Sequence, residues 1–105
     1  MTIRHRLCAL DDLEPCAARR FEVDGHPIAV VRVGDDVHAV GDTCSHQRIS
    51  LSEGEVLCER LEIECWKHGS AFSLLTGEPS MLPATRPVPV FPVTIEGDDV
   101  YVEVP

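Results

Sequence analysis

Apolar and polar positions along this chain change over at strand spacing, in short runs broken by turn residues, and no stretch carries a helical period. Residues 28–33, Ile-Ala-Val-Val-Arg-Val, are rich in β-branched side chains and follow a turn at Asp24-Gly25-His26-Pro27. Gly34-Asp35-Asp36 then leads into Val37-His38-Ala39-Val40, which predicts a hairpin. The same pattern recurs near the C-terminus: residues 93–96, then Gly97-Asp98-Asp99, then residues 100–104, where valines alternate with Tyr101 and Glu103. Residues 17–23 predict a further strand, and Asp11–Glu14 a single helical turn before Pro15. The fold class expected from these elements is all-β, a small antiparallel sandwich or barrel. At 105 residues the chain suits one domain, spanning residues 1–105.

The middle of the chain, about residues 42–86, departs from this alternation and gathers Cys, His, Ser and Gly. Flanked by the two hairpins, it reads as a subdomain inserted into a β framework. The run Leu82-Pro83-Ala84-Thr85-Arg86-Pro87-Val88-Pro89 reads as an ordered loop, not a hinge.

Charge narrows the partners. Eighteen acidic residues against nine basic ones give a formal net charge of -9, which repels phosphate backbones and argues against nucleic acid. No apolar run approaches the roughly 20 residues that span a bilayer, and the N-terminal apolar stretch is too short for a secretory signal. The expected location is therefore the cytoplasm, with no membrane partner. Five cysteines cannot all pair within one chain, and in a reducing compartment cysteines more often bind metal, react or fill core space.

Two short clusters carry the chemistry. Cys44-Ser45-His46 follows the strand at 37–40, and Cys65-Trp66-Lys67-His68 comes after eighteen intervening residues. Two thiolates and two imidazoles complete a tetrahedral zinc site. They equally hold a two-iron cluster, with both thiolates on one iron and both imidazoles on the other. In Leu61-Glu62-Ile63-Glu64-Cys65 the apolar residues and Cys65 share one face, so Cys65 arrives in phase with the buried side. Cys8, Cys16 and Cys58 have no spacing relation to any His and read as small core or surface residues. His5, His26 and His38 read as ordinary residues, and Trp66 as either a shield for the site or a packing anchor.

The order Cys-x-His then Cys-x-x-His, with Gly69-Ser70 following and Gly77 and Pro83 further on, resembles the Rieske family over roughly Val23 to Val104. A zinc finger gathers its cysteines and histidines in separate loops, which is not the order here. The resemblance implies a Rieske-like fold with a cluster-binding subdomain. It also implies one [2Fe–2S] cluster per chain, held by Cys44, His46, Cys65 and His68 as cofactor-binding and metal residues. The chain lacks the extra loop cysteines of the respiratory branch, since residues 47–49 are Gln-Arg-Ile and residue 67 is Lys. Phe72 stands where that branch has a tyrosine whose hydroxyl donates to a ligand sulfur. The chain therefore resembles the ferredoxin components of aromatic-ring dioxygenase systems.

That resemblance implies a monomeric one-electron carrier, not an enzyme, fed by a flavoprotein reductase and discharging to a terminal oxygenase or similar acceptor. The alternatives are a ferredoxin-like subunit of a nitrite-reductase-type complex, a role in iron–sulfur assembly, and a zinc-stabilised interaction module.

Overall fold

The structure is a computed structural model and describes residues 3–43, 50–66, 70–80 and 86–105. Within these residues ten strands follow in order. They are β1 (Ile3–Ala9), β2 (Ala18–Val23), β3 (His26–Val33), β4 (Asp36–Gly41), β5 (Glu55–Leu57), β6 (Glu62–Glu64), β7 (Ala71–Ser73), β8 (Val90–Phe91), β9 (Val93–Glu96) and β10 (Asp99–Val104). They form three antiparallel sheets, ordered β1-β10-β9, β2-β3-β4-β8 and β5-β6-β7. The first two build the framework, and the third is the inserted subdomain expected between the hairpins.

Both predicted hairpins form. Val33 pairs with Asp36 across Gly34-Asp35, and Glu96 with Asp99 across Gly97-Asp98. A third tight turn joins β2 to β3, where Val23 pairs with His26. Its two central residues, Asp24 at φ 51° and Gly25 at φ 81°, both occupy the left-handed region that a two-residue hairpin turn requires. The expected helical turn is a 3-10 turn at Leu10–Asp12, one residue earlier than its pattern suggests.

The tertiary structure adds β1, whose sequence Ile-Arg-His-Arg-Leu-Cys-Ala does not announce a strand. It exists because β10 offers an open edge: Ile3 pairs with Val104 and Ala9 with Asp99. Only Cys8 of this strand is buried, so its pairing with the far end of the chain outweighs its local pattern.

The core explains why residues 28–31 are continuously apolar. Ile28 and Val30 point into a framework core with Val23, Val37, Ala39, Val100, Val102 and Val104. Ala29 and Val31 point the opposite way, into a second core with Val40, Leu51, Ile63, Cys65, Phe72, Leu74 and Val88. All four residues are fully buried. Successive side chains of a strand face opposite ways, so β3 is the wall between two cores and both its faces must be apolar.

One expectation is overturned. Cys16 and Cys58 are joined in a disulfide, their Cα atoms 5.7 Å apart and 42 residues apart in sequence. Neither is an isolated small residue. The fold lays the loop after the 3-10 turn against the turn between β5 and β6, a juxtaposition that no local spacing encodes. Cys8 does fill core space, as expected.

Candidate metal centre

Each predicted ligand cluster lies between chain segments whose ends are tied together. The first, residues 44–49, is bracketed by an antiparallel bridge between Thr43 and Ser50. Asp42 organises that neck. Its backbone carbonyl accepts from the Leu51 N–H at 2.5 Å, its Oδ1 from the Ser52 N–H at 2.9 Å, and its Oδ2 from the Ser50 hydroxyl at 2.5 Å. The Arg20 guanidinium on β2 donates to the same Oδ2 at 3.1 Å. Only 2% of Asp42 is exposed, and a carboxylate is tolerated there because donors surround it.

The neck is held from below as well. Gly41 N–H donates to Pro89 O, and Asp42 N–H to Pro27 O. Fully buried Leu51 then plugs the returning chain into the second core. Sequence reasoning passed over Asp42. Its only local signal is a carboxylate placed between the end of an apolar strand and a Cys-x-His cluster.

The second ligand cluster starts from β6. Ile63 and Cys65 are both fully buried while Glu62 and Glu64 are partly exposed, which bears out the predicted phase. Cys65 N–H donates to Ser70 O at 2.6 Å and closes the neck around residues 66–69. Cys65 is in no disulfide and belongs to the buried core that also holds Leu51, Ile63, Phe72 and Leu74. Trp66, the next residue, is 56% exposed. The chain thus passes from core to surface in one step.

A third segment fixes the rim of this subdomain. Gly77, at φ 77°, accepts from Val88 N–H and donates to Ser73 O. A Cβ on Gly77 would lie 2.0 Å from Val88 O, so the close approach of these two segments requires glycine. Phe72, fully buried, pairs with Ile63 and Pro79 and shares the core with Cys65.

Cys44, His46 and His68, with Gly69 and Pro83, lie outside the described residues. Of the four predicted ligands, the structure therefore describes Cys65. His5, His26 and His38 lie on β1, β3 and β4 of the framework.

A family model for the Rieske [2Fe–2S] domain matches residues 4–92. The chain belongs to the Rieske family. The ferredoxin component of biphenyl 2,3-dioxygenase from Rhodococcus jostii (strain RHA1) is 42% identical, covering 93% of this chain and 90% of its own. Among solved structures, the ferredoxin of carbazole 1,9a-dioxygenase from Nocardioides aromaticivorans IC177 superposes with a TM-score of 0.93. It is 39% identical over 94% of this chain and 95% of its own. The ferredoxin in a complex of reduced oxygenase and oxidised ferredoxin of carbazole 1,9a-dioxygenase gives a TM-score of 0.88. It is 44% identical, covering 95% of this chain and 92% of that one.

A Rieske domain carries a [2Fe–2S] cluster, and the described part of the site fits one. Cys65 is a fully buried thiol without a covalent partner in an apolar core, a setting that suits a cluster thiolate sheltered from water and oxidants. The chain on either side of residues 67–69 is tied by the hydrogen bond from Cys65 N–H to Ser70 O.

Asp42→Ala removes an acceptor for three side-chain or backbone donors and should cost about 3 kcal/mol or more. It should also lower the iron retained per chain. Arg20→Gln, at a half-exposed partner, should cost under about 1 kcal/mol and leave iron content unchanged. Thermal unfolding and iron analysis of the two variants check the contrast; equal effects would place the constraint elsewhere.

Proposed function

We propose that this chain shuttles single electrons in the cytoplasm from a flavoprotein reductase to a terminal oxygenase. Cys44 and Cys65 would hold one iron of its cluster, and His46 and His68 the other. Bound there, the cluster supplies one-electron chemistry at a potential that the protein sets. The observation that carries the reading is Cys65 itself: a fully buried, uncrosslinked thiol in a closed loop beside a 56% exposed Trp66. A redox centre so placed is sheltered on one side and within reach of a partner on the other.

The relatives named above support the choice of acceptor, since each is a ferredoxin of a dioxygenase system and one is described in complex with its oxygenase. The protein's own residues have three tasks. The necks at Asp42 and Cys65 hold the ligand loops, the second core excludes water from the thiolate side, and the acidic surface selects partners. A net charge of -9 favours basic docking patches.

Hydrogen bonds to ligand or bridging sulfurs stabilise the reduced state, so fewer donors mean a lower potential. Phe72 contributes none, and the respiratory branch's loop disulfide has no cysteines here. The potential should therefore lie toward the low end of the Rieske range, which runs from roughly -150 to +300 mV.

Three measurements test this reading. Anaerobically purified protein should contain iron and sulfide in equal amounts and give a Rieske-type EPR signal on reduction; stoichiometric zinc without a signal would overturn the assignment. Phe72→Tyr should raise the midpoint potential by about 20–60 mV, the one-electron equivalent of a hydrogen bond worth roughly 0.5–1.5 kcal/mol. An unchanged midpoint would remove Phe72 from the residues that set the potential. Finally, electron transfer to a cognate oxygenase should slow as ionic strength rises, and a flat salt profile would exclude docking through the acidic surface.

A further inference from the structure

We infer that Cys16 and Cys58 form a thiol–disulfide exchange site separate from the cluster ligands. Through it a low-molecular-weight disulfide locks the β5–β6 hairpin to the framework, and a thiol unlocks it. The two ends of the bond belong to different parts of the fold. Cys16 sits in a loop strapped to β3: its N–H donates to Arg32 O at 2.8 Å, and Pro15 bridges Arg32. The Arg32 guanidinium holds the same loop by donating to Leu10 O and Leu13 O. Cys58 sits in the turn that leads into β6, where Arg60 N–H donates to Leu57 O and Leu61 N–H to Cys58 O. Cys65 lies seven residues further on. The disulfide is thus a covalent strut from the framework to the hairpin that delivers a ligand cysteine.

Accessibility sets this pair apart from the other described cysteines. Cys16 is exposed and Cys58 half-buried, and a surface cavity of about 280 Å³ is lined by Leu57, Cys58, Glu59 and Arg60. Cys8 and Cys65 are buried, and burial pushes the Cys8 thiol up, away from its reactive form. A solvent-exposed disulfide is of the labile kind, open to attack by thiols in a reducing compartment.

The exchange balances without any other reactant. The Cys16 thiolate attacks a small disulfide RSSR, and one RS⁻ leaves as the mixed disulfide forms. The Cys58 thiolate then attacks Cys16 Sγ, and the second RS⁻ leaves. Two protein thiols are oxidised, one small disulfide is reduced, and the two protons released end on two RSH. Excess RSH reverses both steps. Reduction should leave the fold intact, because the hairpin is also anchored through Ile63, which is fully buried with Leu51 in the second core. What it should release is the hairpin's outer turn, and with it some of the restraint on the ligand loop.

The test uses holoprotein equilibrated anaerobically with oxidised or reduced glutathione, then treated with N-ethylmaleimide and digested for mass spectrometry. In oxidised glutathione a cross-linked Cys16–Cys58 peptide is expected, with neither cysteine alkylated. In reduced glutathione both should be alkylated while the visible bands persist. Transfer of iron to a chelator should then be several-fold faster in the reduced protein and in the double variant C16S/C58S under both conditions. Alkylation of both cysteines in oxidised glutathione would overturn the proposal, as would a cross-link that excess reduced glutathione leaves intact, or iron loss indifferent to the cross-link. Should C16S/C58S fail to fold, wild type alkylated at both positions provides the same comparison. The iron readout rests on the cluster assignment above, whereas the alkylation readout does not; protein without iron from the outset would fail that assignment alone.

Discussion

The structure depends on one strand buried on both faces. Ile28 and Val30 of β3 complete the framework core, while Ala29 and Val31 complete the second core, which holds Cys65, and all four are excluded from solvent. Burial of a Val or Ile side chain stabilises by roughly 1.5–3 kcal/mol. This one segment thus couples the two halves of the molecule: anything that loosens β3 loosens both. The inserted subdomain is therefore built onto a wall that the framework already needs, and that wall fixes where its hairpin can lie.

On that wall the segments flanking each predicted ligand cluster are tied by hydrogen bonds, with Leu51 packed into the second core beside them. Where the chain leaves the core on either side of each predicted ligand cluster, its N–H and C=O groups need partners. Asp42 resolves this for the first loop, and the Cys65–Ser70 hydrogen bond for the second. Once the necks are fixed, loop-closure entropy has been met by the fold and not by metal binding. Charge works at another scale: a net charge of -9 sets up a long-range field that favours basic surfaces over phosphate backbones.

Much of this was legible in the chain itself. The turn chemistry at Gly34-Asp35 and Gly97-Asp98 announced both hairpins, because few residues reach φ > 0 and glycine does so without strain. The alternation from Leu61 to Cys65 placed Cys65 in the core, since strand geometry allows each side chain only one of two faces. The Cys-x-His and Cys-x-x-His spacing identified the family, because ligand order and loop length are local properties that a cluster dictates directly.

The rest was decided in three dimensions. β1 pairs with β10 across nearly the whole length of the chain, and Cys16 meets Cys58 only after the subdomain has packed. Asp42 looks like any surface aspartate until Arg20, Ser50 and Ser52 converge on it. The common reason is range. Propensity, alternation and ligand spacing are set within a few residues, so the sequence determined the strand grammar, the acidic charge and the cluster chemistry. Contacts between segments tens of residues apart depend on how the sheets stack, and only the tertiary structure decided which carboxylate would be buried and which cysteines would pair.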